Sequence, residues 1–219
     1  MATVTLKEMN EWLDMPERDR MKQVELMMHG CKSGKKMMGF LKQEGYKIEP
    51  QVFGRTNIDR ENKAVNLVIG HNCKEDSVIE LIQAACMVKQ EKYNPELTEF
   101  TKLEGYRNRL RDADVQANTC LFIHEMDAKH PKLKENYLGQ YSELEIFEET
   151  FRKTKDTNIA RSAVMKVNAP ETFAGSGIKK PEDYIPLCKD FDGKSYFVDP
   201  AEKTKVNAVA IAKAKGKGR

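Results

Sequence analysis

No run in the 219-residue chain approaches the roughly 18 consecutive apolar residues that a membrane-spanning helix needs, so no membrane association is expected. The first residues, Met1-Ala2-Thr3-Val4-Thr5-Leu6-Lys7-Glu8, lack the basic start and apolar core of a secretory leader, and a cytoplasmic location is expected. The five cysteines, Cys31, Cys73, Cys86, Cys120 and Cys188, contain no C-x-x-C pair. Their odd number and wide scatter exclude a zinc-ribbon spacing, argue against a disulfide framework and favour free thiols in a reducing compartment. A strong charge of one sign is also missing, because the formal net charge is only +3. The stretch from residue 201 to the end carries six basic residues against Glu202 alone, a local charge of +5, which leaves the body near −2. A mildly acidic body argues against a broad nucleic-acid face, which needs Lys and Arg concentrated on one surface.

With 40% hydrophobic residues the chain can bury a core, and its length suits one main domain with a short appendage. Thr5 followed by Glu8 has the form of a capping box, with Leu6, Met9 and Leu13 at helical spacing behind it. Further helices are predicted over 18–29 and 35–43, punctuated by Gly34 and Gly45. Eight of the eleven methionines lie in the first 38 residues, as core filler on helical faces or as an adaptable binding surface. Short extended pieces follow at 46–53 and 64–69, joined by a polar stretch with Gly54, Asn57 and Asp59 that reads as a loop, so a small strand pair is expected. Residues 78–90 read as a helix apolar on most sides and therefore buried.

The next helix has the cleanest periodicity, with Tyr106, Leu110, Ala113, Ala117, Leu121, His124 and Ala128 in steps of three and four, and Pro131 marking its end. A long helix is predicted from 142 to about 167. After Pro170 the chain turns to Gly, Pro and short apolar pieces, and Asp192-Gly193 between extended segments signals a hairpin. The expected division is a main α+β domain over 1–168, an extension with the hairpin over 169–207 and a basic disordered tail over 208–219.

A catalytic zinc helix places two His at i and i+4 on one face, with a Glu beside the first to activate water. From about residue 27 to 132 the order of features resembles a poorly characterised bacterial branch of the zincin-like metallopeptidases. The resemblance rests on Ser33-Gly34 with Phe40-Leu41 and Gly45, the strand Asn66-Leu67-Val68-Ile69, the helix 78–90, and Arg111-Asp112-Ala113-Asp114 leading into Gln116-Ala117. Together with the elements read above, it gives the expectation of a mostly helical α+β fold: a zincin-like helical core, a small sheet on its N-terminal side and, from the Asp-Gly signal, a C-terminal hairpin or irregular extension. It also implies that Gln83 stands where the first ligand would be, Ala84 where the glutamate would be and Met87 where the second ligand would be. Gln is a poor zinc ligand, Ala is no base, and a lone thioether is too soft to hold catalytic zinc. In that family the third ligand is expected on the following helix, which here offers Asp112 or Asp114. At 100° per residue, with Ala113 centred on the apolar stripe, Asp114 lies toward the old pocket and Asp112 on the far side. An ion pair or hydrogen bond of Asp114 with Arg111, Arg109 or Gln83 is the structural alternative to metal binding.

Other patterns carry less. His124-Glu125 with His130 is spaced i and i+6, which puts the rings about 120° apart on a regular helix, so they cannot share one ion. His124 lies on the apolar stripe and reads as a core histidine or a residue of the pocket, and His29 and His71 read as helix-end or loop residues. Gly175-Ser176-Gly177-Ile178-Lys179-Lys180 lacks the phosphate-loop spacing, and Asp190-Phe191-Asp192-Gly193 lacks the sixth-place Gly and twelfth-place Glu of a calcium loop.

The resulting expectation is a non-catalytic protein on a zincin-like scaffold, with no cofactor, binding a protein or peptide partner. One alternative is a metal-dependent hydrolase with a relocated site around Asp114 and His124, with His71 and Glu125. The other is a nucleic-acid-associated or scaffold protein using its tail, where Lys213, Lys215, Lys217 and Arg219 would make weak, salt-sensitive contacts.

Overall fold

The computed structural model describes residues 5–70, 73–94, 104–138, 142–168 and 188–198. His71, the glycine-rich loop at 175–180 and the basic tail therefore lie outside the described residues, as does most of the expected extension. The described chain is α+β and mostly helical: eight helices and one three-stranded sheet.

Helix α1 (Leu6–Leu13) starts on the capping box, in which the Glu8 amide donates to the Thr5 hydroxyl and the Glu8 carboxylate accepts from the Thr5 amide at 3.1 Å. Helices α2 (Glu17–Met28) and α3 (Lys32–Gln43) follow. Met21, Met27, Met28 and Met37 are buried in the core, so these members of the N-terminal methionine cluster act as filler. Strand β1 (Lys47–Gln51) pairs in parallel with β3 (Ala64–Val68), while β2 (Asn57–Asp59) pairs with the other edge of β3 antiparallel. The predicted strand pair is thus a triplet, since part of the presumed loop is a strand. The Asn66 side chain donates to Asn57 Oδ1 across the pair at 3.0 Å, a cross-strand contact that offsets the poor strand propensity of Asn and Asp.

Strand β3 leads into α4 (Lys74–Tyr93), and α4 packs on α5 (Glu104–Met126). Pro131, expected to end a helix, opens α6 (Pro131–Leu138), where its missing N–H is harmless and its fixed φ suits a first turn. The long helix expected over 142–167 is two: α7 (Glu143–Thr154) and α8 (Thr157–Asn168), which pack against each other and against α5. Lys155 takes a left-handed conformation at φ 54°, and the Asp156 carboxylate accepts from the amides of Asn158 and Ile159, capping α8. Residues 188–198 turn back through Gly193 at φ 78°, with Lys189 and Ser195 bridged antiparallel, as the Asp-Gly signal predicts. This turn drives Phe191, Tyr196 and Phe197 into the core.

Candidate functional site

The positions singled out by the resemblance divide into two places. On α4, Gln83 and Met87 stand one turn apart on one face, and with Ala84 they line an open cleft of about 610 Å³. Its other wall is β2 and the residues around it: Arg55, Thr56, Asn57, Ile58 and Arg60. Gln83 is exposed, Met87 half-buried and Ala84 buried. Within the cleft the Thr56 hydroxyl donates to the Glu80 carboxylate and to it alone among the described carboxylates, while its oxygen accepts from the Val68 amide at 2.9 Å. Arg60 forks onto Glu91 on the outer side of α4, which holds its guanidinium ionised.

Asp114 lies elsewhere. It is 1% exposed on the inner face of α5, while its neighbour Asp112 is exposed, as the angular reading predicts. Its partners are neither Arg111 nor Gln83, and the Arg109 side chain lies outside the described residues; they come from one to two turns further along α4, from α5 itself and from the segment 188–198. Lys89 Nζ lies 3.0 and 2.8 Å from the two carboxylate oxygens, Gln90 Nε2 donates to Oδ2 at 2.8 Å, Asn118 Nδ2 to Oδ1 at 3.0 Å and the Tyr196 hydroxyl to Oδ1 at 2.6 Å. Four donors saturate this carboxylate. Arg161 of α8 extends the network, donating to Asn118 Oδ1 at 2.9 Å, stacking 3.5 Å from the Tyr196 ring centroid and pairing with Asp190 at 3.6 Å. Lys36 reaches Asp190 from α3 at 3.0 Å.

Burial opposes ionisation of Asp190, but Arg161, Lys36 and the Phe191 amide outweigh it and hold the carboxyl below its usual range. Burial and the neighbouring Asp114 charge push the Tyr196 phenol well above 10, so it stays a donor. Burial likewise raises the thiols of Cys73 and Cys86 to about 12 and those of Cys120 and Cys188 higher still; all five cysteines are free, buried and inert as nucleophiles at neutral pH.

His124 is ten residues along α5 from Asp114, about 15 Å at the helical rise, so the helix holds the two apart. Its Nδ1 lies 3.0 Å from Glu148 Oε1 and its ring packs against Phe147 and Phe151, joining α5 to α7. Glu125 accepts from the Ser33 amide at 2.7 Å and so caps α3. Among the described residues no three His, Cys, Asp or Glu side chains are grouped to hold a metal ion.

The residues the sequence reading missed are Lys89, Gln90, Arg161 and Tyr196. A signal existed for Lys89: it falls on the stripe of Leu81, Ile82 and Ala85, where an amine must be paired if the helix is buried. The chain matches no protein-family model, and no curated protein or solved structure is similar enough to it to count as a match.

Proposed function

We propose that the protein is a non-catalytic peptide-binding protein on a degenerate zincin-like scaffold, with the cleft between β2 and α4 as its binding groove. The observation that carries this reading is the separation of the old site: Gln83, Ala84 and Met87 face an open cleft, whereas Asp114 is sealed into the core by four donors. The order strand, apolar helix and acidic helix on which the resemblance rests is present as β3, α4 and α5. The groove offers recognition chemistry: the Arg55 guanidinium, the Gln83 carboxamide, a thioether and the apolar side chain of Ile58, with Arg60 tied to Glu91 at its edge. Among the described residues β2 pairs only with β3, and its Asn57 and Ile58 line the groove.

Selecting a random peptide library on the intact protein, and titrating the enriched peptides, tests this. Gln83→Arg and Met87→Glu, both at positions not fully buried, are expected to weaken binding tenfold or more without changing thermal stability by more than a few degrees. Peptides bound in the presence of added zinc are expected to be recovered whole. Affinities indifferent to both substitutions, or cleavage of the bound peptide, would overturn the reading.

A further inference from the structure

A second cavity, of about 450 Å³, opens between α1, α2, the start of α4 and the corner joining α5 to α6. Its apolar surface comes from Trp12, Met15, Cys73 and Pro131. Trp12 is the single tryptophan of the chain and is 6% exposed, so its indole is both a wall of the cavity and part of the core. The volume is within the range of sites that enclose small organic molecules.

The charges around the cavity cancel. Three Glu and three Lys line it: Glu8 is paired with Lys132, Glu11 with Lys7 at 3.7 Å, the Lys129 ammonium donates to the Gly30 carbonyl at 2.6 Å, and Lys74 and Glu75 are adjacent and opposite. The lining therefore carries no net formal charge. The Cys73 thiol is kept neutral by burial, and burial with the nearby Lys74 charge lowers the pKa of His130, so its imidazole is neutral near pH 7. The His130 ring makes no hydrogen bond among the described residues. A neutral imidazole carries one N–H donor and one acceptor nitrogen, and with the Gln23 carboxamide it supplies neutral hydrogen-bonding groups beside the apolar surface.

We propose that this cavity binds a small uncharged aromatic ligand, its ring packed against Trp12 and its one polar group hydrogen-bonded by His130. An aromatic wall, an apolar surface, a charge-balanced rim and the neutral hydrogen-bonding groups of His130 and Gln23 together select that class over charged metabolites. The site is independent of the β2–α4 groove and stands whether or not that groove binds peptides.

The probe is 4-nitroanisole, an uncharged nitroaromatic that quenches tryptophan fluorescence, titrated into the intact full-length protein. Because Trp12 is the sole tryptophan, saturable quenching reports occupancy of this cavity. The same titration with 4-nitrobenzoate and 4-nitrobenzylammonium is expected to need at least tenfold higher concentration. His130→Leu is expected to raise the half-saturation concentration about fivefold, the loss of one hydrogen bond, while His130→Gln, which keeps a donor and an acceptor, stays within about twofold. Thermal melts of both variants identify any loss due to unfolding, and His130→Gln then remains the comparison. Linear, unsaturable quenching, a charged probe binding as well as the neutral one, or equal affinity in wild type and His130→Leu would each overturn the proposal.

Discussion

Asp114 and Lys89 are a full ion pair with side chains essentially without solvent access, and their energetics follow from what each would be alone. Removing one partner strands the other charge in the interior, which costs about 3–5 kcal/mol, whereas replacing both by apolar residues of similar size is far milder. Asp114→Leu and Lys89→Met are therefore each expected to lower unfolding stability by that amount in urea titrations, and the double variant by clearly less than their sum. Simple additivity would show that the pair does not act as a unit. Tyr196→Phe removes one of four donors to Asp114 and is expected to cost about 1–2 kcal/mol. Its pH dependence has a definite sign. The folded-state pKa of Tyr196 is raised above 10, so the stabilisation is complete below that pH and lost as pH rises toward the folded value. The wild type should thus lose stability above pH 10 more steeply than Tyr196→Phe. The inward position of Asp114 was legible from helical geometry alone, but its partners were not: Gln90 sits near a helix end, and Tyr196 is 82 residues away in sequence.

Elements with strong periodicity or caps were legible, and those created by tertiary contacts were not. The capping box, the buried α4 and the stripe of α5 follow directly from residue spacing. Strand β2 is only three residues and exists because β3 offers it an edge; the break between α7 and α8 depends on one left-handed residue inside an otherwise helical pattern. That residue yields a prediction. Lys155→Gly removes the left-handed penalty of a side chain and is expected to stabilise the protein by about 1 kcal/mol, read as a raised urea midpoint. Gly34 is the opposite case, since a Cβ there would sit 2.0 Å from the Met28 carbonyl oxygen and 2.8 Å from the Phe122 ring. Gly34→Ala must push α3 from α2 and α5, and a loss of about 1–3 kcal/mol is expected. Helix α1 supplies an acid-sensitive contact. The Lys132 ammonium, then the Thr5 amide and hydroxyl, hold the Glu8 carboxyl at about 2 instead of 4.5. The contribution of this contact is present above pH 4.5 and fades as pH falls toward 2. Trp12 emission should report that loosening, with smaller amplitude in high salt because the pair is exposed. A pH-independent Trp12 signal over that window would refute it.

At the scale of the whole molecule, the segment 188–198 decides whether the C-terminal part is an appendage or a component of the core. Phe191 packs edge-on against Phe40 of α3 at 5.4 Å and lies 5.0 Å from the Lys89 ammonium, while Tyr196 reaches Asp114 on α5 and stacks on Arg161 of α8. One short turn thus touches α3, α4, α5 and α8 and supplies a donor to the buried ion pair. A domain's net stability is about 5–15 kcal/mol, and truncating a buried aromatic costs about 3–5 kcal/mol, so Phe191→Ala removes a large share of the total. If the segment belongs to the core, that loss is global. Trp12 fluorescence, at the far N-terminal end, and far-UV circular dichroism should then give coincident unfolding midpoints in the wild type, and Phe191→Ala should move both by the same amount. If the segment were a separate appendage, the Trp12 midpoint would stay where it was while only signals from the C-terminal part shifted. Coincident displacement is the expected outcome, because the turn contributes donors and rings to a network that would otherwise leave Asp114, Lys89 and Arg161 incompletely satisfied inside the protein.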